Sequence, residues 1–205
     1  MTGSTRIPLP RLHAITDERV ARLPILDAAA RALAAAGPVA LHARGHTLSG
    51  RAHYELARRL GAAAPRHLFV NDRVDVALAT AAAGVHLSGD GLEPRDARRL
   101  DAAWWIGVSV HGVDGARAAR DLGADYLLVG PVFATPTHPE APPLGVAGLA
   151  PYLALGLPVV AIGGIDASNA GALRHAGAHG VAAIRALWDA PDPAGVARRM
   201  MEEME

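Results

Sequence analysis

The stretch Asp125-Tyr-Leu-Leu-Val-Gly-Pro-Val-Phe-Ala-Thr-Pro-Thr-His-Pro139 decides the fold. It opens as an apolar run over 126–129, the pattern of a strand buried on both faces. Gly130-Pro131 breaks the run into a polar, proline-rich loop with two hydroxyls, Thr135 and Thr137, and an imidazole, His138. A buried strand that empties into such a loop is how a parallel α/β sheet delivers chemistry to one end.

Seven other apolar runs repeat the pattern, at 12–16, 39–43, 67–70, 84–87, 105–110, 158–162 and 180–184. Helical segments lie between them. One covers 25–36 and is stopped by Gly37-Pro38. The next runs to about residue 60 and has Ser49 at a capping position. Further helices are predicted over 74–82, from Pro94 onward, over 114–122 and 146–155, from a Ser168 cap to 176, and over 193–203. The alanine runs 28–30 and 81–83 are assigned to helix faces that pack close to the sheet. Eight strands alternating with eight helices predict a closed (β/α)8 TIM barrel, a single domain over 1–205, rather than an open doubly wound sheet.

Composition narrows the function. Hydrophobic residues make up 51% and aromatics only 4%, so the core is expected to be Ala, Val, Leu and Ile. Twenty basic residues balance twenty acidic ones, which gives no footprint for nucleic acid or a membrane surface. The absence of cysteine excludes disulfides, thiolate metal sites and a Cys nucleophile. No apolar run is long enough for a leader or a membrane span, so a cytoplasmic protein is expected.

Residues at the carboxyl ends of barrel strands share one mouth. Here these are Arg44 and His46, Asn71 and Asp72, His86 and Asp90, Ser109 and His111, then Thr135, Thr137 and His138, Gly163-Gly164, and Ile184-Arg185. Gly163-Gly164, directly after the seventh strand, is placed to hold phosphate on backbone N–H groups, with Arg185 adding a charge-assisted contact; a tight turn without ligand is the plainer reading. His111 precedes a glycine at a strand end and can move a proton near neutral pH. Asp72 and Asp90 are candidate Mg²⁺ carboxylates, although Asp72 in Asn-Asp-Arg can equally cap the next helix. Arg44 suits an anionic group because guanidinium bonds it bidentately. The His-x-His of many metallohydrolase barrels is absent from the first strand, where His13 stands alone.

In register over about 12–187, the chain resembles the thiamine phosphate synthase/TenI superfamily of (β/α)8 barrels. The resemblance is carried by Asn71-Asp-Arg-Val-Asp-Val-Ala77, Gly84-Val-His-Leu87, Ile106-Gly-Val-Ser109, Gly123-Ala-Asp-Tyr126, Gly130-Pro-Val-Phe-Ala-Thr-Pro-Thr137 and Ala161-Ile-Gly-Gly-Ile165. It implies one of two activities. Synthases couple a pyrimidine pyrophosphate to a thiazole phosphate, releasing pyrophosphate with Mg²⁺. TenI-type tautomerases aromatise an ylidene thiazole carboxylate phosphate, without metal, by moving a proton. The synthases' Gln-x-Arg-x-Lys reads His42-Ala-Arg44-Gly-His46 here, their second Mg²⁺ carboxylate aligns with Gly91, their lysine after Thr-x-Thr with His138, and their serine after strand eight with Arg185. Asn71, Asp72, Ser109, Thr135 and Thr137 keep the synthase pattern, and the loop 130–137 is synthase-like. His111 aligns with the tautomerase acid-base histidine.

On that balance the expectation is a tautomerase. His111 would be catalytic. Arg44, His46, Asn71, Ser109, Thr135, Thr137 and His138 would bind substrate, and Gly163, Gly164, Ile184 and Arg185 would hold the phosphate of a small thiazole. No cofactor is expected. The alternatives are a synthase that uses Mg²⁺ on Asp72 and Asp90, and a non-catalytic phosphate-binding paralogue. Neither nucleic acid nor membrane is an expected partner; a second copy of the chain is.

Overall fold

The computed structural model describes residues 6–137 and 139–205. Its elements are β1 (Leu12–Ile15), α1 (Glu18–Ala21), α2 (Leu26–Ala36), β2 (Val39–Ala43), α3 (Gly50–Ala63), β3 (Leu68–Asn71), α4 (Val74–Ala79), β4 (Gly84–Leu87), α5 (Pro94–Leu100) and β5 (Trp105–Val110). There follow α6 (Val113–Asp121), β6 (Tyr126–Val129), a 3₁₀ turn (Ala147–Leu149) continuing into α7 (Ala150–Leu153), β7 (Val159–Ile162), α8 (Ala170–His175), β8 (Gly180–Ala183), α9 (Arg185–Trp188) and α10 (Pro193–Glu202). The strands close a barrel in sequence order, and every ladder is parallel. The expected TIM barrel is therefore the fold.

Strand alternation sorts the core into two layers. Leu12, Leu41, Val70, Val85, Ile106, Val129 and Val181 pack outward under the helices. Ile15, Ala40, Phe69, Tyr126, Leu128, Val160 and Ala182 pack inward, inside the barrel. That inner layer departs from the expected aliphatic core, because buried His13, His42 and His86 join Phe69 and Tyr126 there. Two glycines make the room. A Cβ on Gly84 would lie 2.7 Å from Phe69 Cε1, and one on Gly107 would lie 2.5 Å from Tyr126 Cε1 and overlap its Cζ. Few aromatics thus fill the barrel because they are concentrated in one place.

The amino-terminal end is closed by a polar knot. Asp125 accepts from the Ile106 N–H at 2.7 Å and pairs with Arg98 at 2.6 Å and Arg6 at 2.5 Å. The Arg6 guanidinium lies 3.4 Å over the Trp105 ring, whose Nε1 donates to Ile7 O at 2.9 Å.

Several predicted boundaries move. Ser49 and Pro94 start α3 and α5 as expected. The 74–82 helix stops at Ala79, and Ala81 adopts φ 50°. Residues 81–83 therefore form the turn into β4 rather than a helix face. The 146–155 helix is one 3₁₀ turn and one α turn, since Gly148 and Gly156 flank too short a stretch to propagate. Ser168 does not cap α8. Its N–H and hydroxyl bond Asp166, and the helix starts two residues later. Two short helices were not anticipated: α1, capped by Asp17 accepting from Val20 N–H at 2.7 Å, and α9 after β8.

Candidate active site

The carboxyl ends of the strands enclose a cavity of about 690 Å³. Arg44, His46, Asn71, Asp72, Asp90, Ser109, His111, Thr135, Thr137, Gly163, Gly164, Ile184 and Arg185 all line it, so parallel topology brings the predicted residues together. His138 lies outside the described residues. The volume is that of a pocket for small molecules.

Arg44 leaves the end of β2 under tight control. Its N–H donates to the Thr16 hydroxyl at 2.8 Å, and that hydroxyl lies 2.9 Å from the carbonyl oxygens of both His42 and Arg44. Burial pulls the guanidinium pKa down, and Glu18, Asp17 and Asp72 oppose that shift. An arginine stays protonated under such a shift and remains the cation of this wall. Its Nη2 donates to His46 Nε2, so the imidazole is an acceptor in this contact rather than a second cation.

Asp72 is not a helix cap. It takes φ 58°, a left-handed conformation that aspartate tolerates, and its Oδ1 accepts from Ser88 N–H at 2.7 Å in the loop after β4. The helix after it begins from Arg73 with no side-chain cap. The carboxylate is exposed at the mouth, as is Asp90. Mg²⁺ is usually held by one or two carboxylates together with substrate phosphate oxygens, and Asp72 with Asp90 fits that donor set. No cluster of three or more His, Asp or Glu that could hold a metal occurs among the described residues. The position facing Asp72 is Gly91, where a Cβ would lie 3.6 Å from Asp72 Oδ1.

On the opposite wall, Gly163 and Gly164 take φ 102° and 63°. A side chain at either is excluded twice, by the dihedral and by the backbone beneath it. A Cβ would lie 2.6 Å from Pro131 Cα at one, and 2.5 Å from Ala134 O at the other. The loop after β6 is bolted onto this turn, with Val132 N–H donating to Ile162 O at 2.9 Å and Phe133 N–H to Gly163 O at 3.0 Å. Its far end is tied down too, by Leu144 N–H to Pro131 O and Gly145 N–H to Val132 O, both at 2.9 Å. The α9 helix starts at Ile184 and Arg185, completing the region where barrels of this kind bind phosphate, the loops after strands seven and eight with a short extra helix.

Sequence reading placed His86 and Ser109 at the mouth but missed how they join each other and the buried rings beneath. His86 Nε2 lies 2.8 Å from Ser109 Oγ, and its Nδ1 lies 3.2 Å from the Tyr126 hydroxyl. His13 and His42 continue this polar floor. Period-two alternation was the available signal, since 40, 42 and 44 share one face of β2.

A closed parallel barrel whose strand ends share one polar mouth defines the class as a (β/α)8 barrel. A family model described as thiamine monophosphate synthase matches residues 12–187. The chain is 41% identical to a thiamine-phosphate synthase of Salinispora tropica over 203 residues, 96% of this chain and 98% of that one. It is 42% identical to one of Chloroflexus aurantiacus over 195 residues, 93% and 90% of the two chains. Among solved structures, it superposes on a thiamine phosphate pyrophosphorylase of Pyrococcus furiosus with a TM-score of 0.82, 32% identity and 95% of each chain covered. The chain belongs to the thiamine monophosphate synthase/TenI family, whose members are enzymes of thiamine biosynthesis.

These relatives correct the functional expectation. The tautomerase preference rested on the altered clamp and on His111, yet relatives about 40% identical over nearly the whole chain are named synthases. Replacing cations around a retained Asp72 outweighed, in that reading, the family pattern that the rest of the mouth keeps. His111 is exposed at the rim, and its proton-transfer role falls with the tautomerase. Among the described residues, no helix is long and apolar enough to cross a membrane.

Proposed function

We propose that this protein is a thiamine-phosphate synthase. It couples hydroxymethylpyrimidine pyrophosphate to a thiazole phosphate, with Mg²⁺ as cofactor. The observation that carries the reading is the close similarity to named synthases over almost the full chain. The mouth supports it with Asp72 turned out of its helix and fixed on the β4 loop by Ser88.

In the reaction, the pyrimidine methylene carbon loses its bond to pyrophosphate oxygen and gains one to the thiazole nitrogen. The electron pair of the broken bond leaves with pyrophosphate. Asp72 and Asp90 would hold Mg²⁺, and the ion would supply positive charge to the leaving pyrophosphate. Arg44 supplies the protein's own cation to that charge from a position fixed by Thr16. Gly163, Gly164 and the backbone at Ile184 and Arg185 receive the thiazole phosphate, placing its ring over the cavity floor. Asn71, Ser109, Thr135 and Thr137 orient the two rings, with Ser109 steadied by His86. His46, held by Arg44, contributes contact rather than charge in this arrangement.

The test is coupling of the two substrates with and without a metal chelator, in the wild type and in Asp72→Ala. Mg²⁺-dependent product formation that the substitution lowers at least a hundredfold is expected. Absence of coupling by the wild type with Mg²⁺ present refutes the reading.

A further inference from the structure

Beneath Asn71 the barrel carries a chain of hydrogen bonds with a direction. His13 Nε2 lies 3.0 Å from Pro10 O at the lower end. His13 Nδ1 lies 2.9 Å from His42 Nε2, and His42 Nδ1 lies 3.2 Å from the Asn71 side-chain amide. All three side chains are buried, and Asn71 alone reaches the cavity.

Each link dictates the next. A carbonyl oxygen only accepts, so the His13 proton sits on Nε2. A neutral imidazole has one N–H, which leaves His13 Nδ1 as a lone pair. His42 must therefore donate from Nε2, and its own Nδ1 becomes a lone pair. The amide atom of Asn71 facing that lone pair has to be a donor. Oδ1 occupies the position 3.2 Å away, and two acceptors cannot bond. A half-turn of the amide places Nδ2 there without changing its shape. Oδ1 then points to the mouth, next to Asp72.

The other arrangements are worse. Keeping Oδ1 inward with both histidines neutral sets the His13 Nε2 lone pair against Pro10 O. Keeping it with either His13 or His42 doubly protonated buries a cation among aromatic rings, where its hydrogen-bond partners include no carboxylate.

We propose that His13 and His42 are positioning residues whose fixed tautomers turn the Asn71 amide oxygen toward the mouth. They make that wall a hydrogen-bond acceptor for an N–H or O–H donor, either the amine of an aminopyrimidine substrate or a water on a bound divalent cation. The part concerning substrate rests on the synthase reading; the part concerning tautomers does not.

The first experiment is ¹H–¹⁵N NMR of the histidine rings in the substrate-free protein. His13 and His42 each protonated at Nε2 and bare at Nδ1 is the expected result, and an N–H on either Nδ1 overturns the proposal whatever the enzyme does. The second is steady-state kinetics of His13→Phe, which keeps a ring but not the acceptor, and of His42→Leu. Both should raise the KM for the pyrimidine pyrophosphate, or the half-saturating Mg²⁺ concentration, about 3–10-fold and leave the KM for thiazole phosphate unchanged. A rise in the first parameter assigns the partner to the amine, and a rise in the second to the metal-bound water. His42→Gln, whose amide can both donate to His13 and accept from Asn71, should stay within about twofold of wild type. Equal losses for both substrates, or none for either, refute a positioning role. Should coupling fail altogether, the NMR result still decides the tautomers.

Discussion

Replacing Gly107 by alanine tests how the barrel floor is built. The new Cβ would lie 2.5 Å from Tyr126 Cε1 and nearer still to the ring's outer edge. Comfortable carbon–carbon contact is about 3.5–4.0 Å, so the ring must retreat by at least about 1 Å. It has nowhere to go. His13, His86 and Phe69 ring centroids stand 5.6, 5.7 and 6.4 Å away. Overpacking of this kind costs about 1–3 kcal/mol, and the enclosed site puts Gly107→Ala near the top of that range. For a chain of this length the melting temperature should fall by about 4–12 °C. The assay is urea and thermal denaturation of a double-mutant cycle with Tyr126→Leu. In the Tyr126→Leu background the methyl group enters vacated space, so Gly107→Ala should be neutral or stabilising, with a coupling of about 1–3 kcal/mol. A Gly107→Ala cost below about 0.5 kcal/mol, or additive costs in the cycle, would refute the argument that glycine is there to seat the tyrosine.

Stability should fall in mild acid. Burial lowers the pKa of His42 and of His86 to about 3, while the unfolded chain titrates near 6.5. Between those values the unfolded state binds protons that the folded state refuses, so the stability present above pH 6.5 is lost as the pH drops. At pH 5 each ring should cost about 2 kcal/mol, and equal urea midpoints at pH 7.5 and 5 would contradict this. Asp125→Ala strands Arg6 and Arg98 at the far end of the barrel. It should cost about 2–3 kcal/mol in denaturation while leaving both KM values unchanged, and a shifted KM would show that the knot reaches the mouth. Gly91→Asp adds a third carboxylate beside Asp72 and Asp90 and should lower the half-saturating Mg²⁺ concentration roughly tenfold, with no change counting against a metal at Asp72.

The barrel was legible because eight apolar runs, each spilling into a polar loop, leave little else for the chain to do. The mouth was legible for the same reason, since topology alone gathers residues at strand ends. Residues inside the barrel were not. His42 reads as a lost glutamine in a clamp, and only its contact with His13, 29 positions earlier in the chain, gives it a partner. Asp72 was ambiguous because a cap and a metal ligand need the same residue beside the same helix; the left-handed backbone and the Ser88 contact rule out the cap. The short helices failed on propensity, as α9 spans four residues and takes its place from the barrel rather than from its own sequence. The functional error had a different origin, in weighing three altered cation or metal positions above the pattern of the whole.

The loop after β6 is pinned at both ends, to the glycine turn after β7 and to its own root at Pro131 and Val132. Between these two fixed posts the tip comprises, among the described residues, 135–137 and 139–143. Lengthening or rewriting that tip would leave the glycine turn untouched. Changes of length or sequence in the tip are thereby uncoupled mechanically from the turn that carries Gly163 and Gly164.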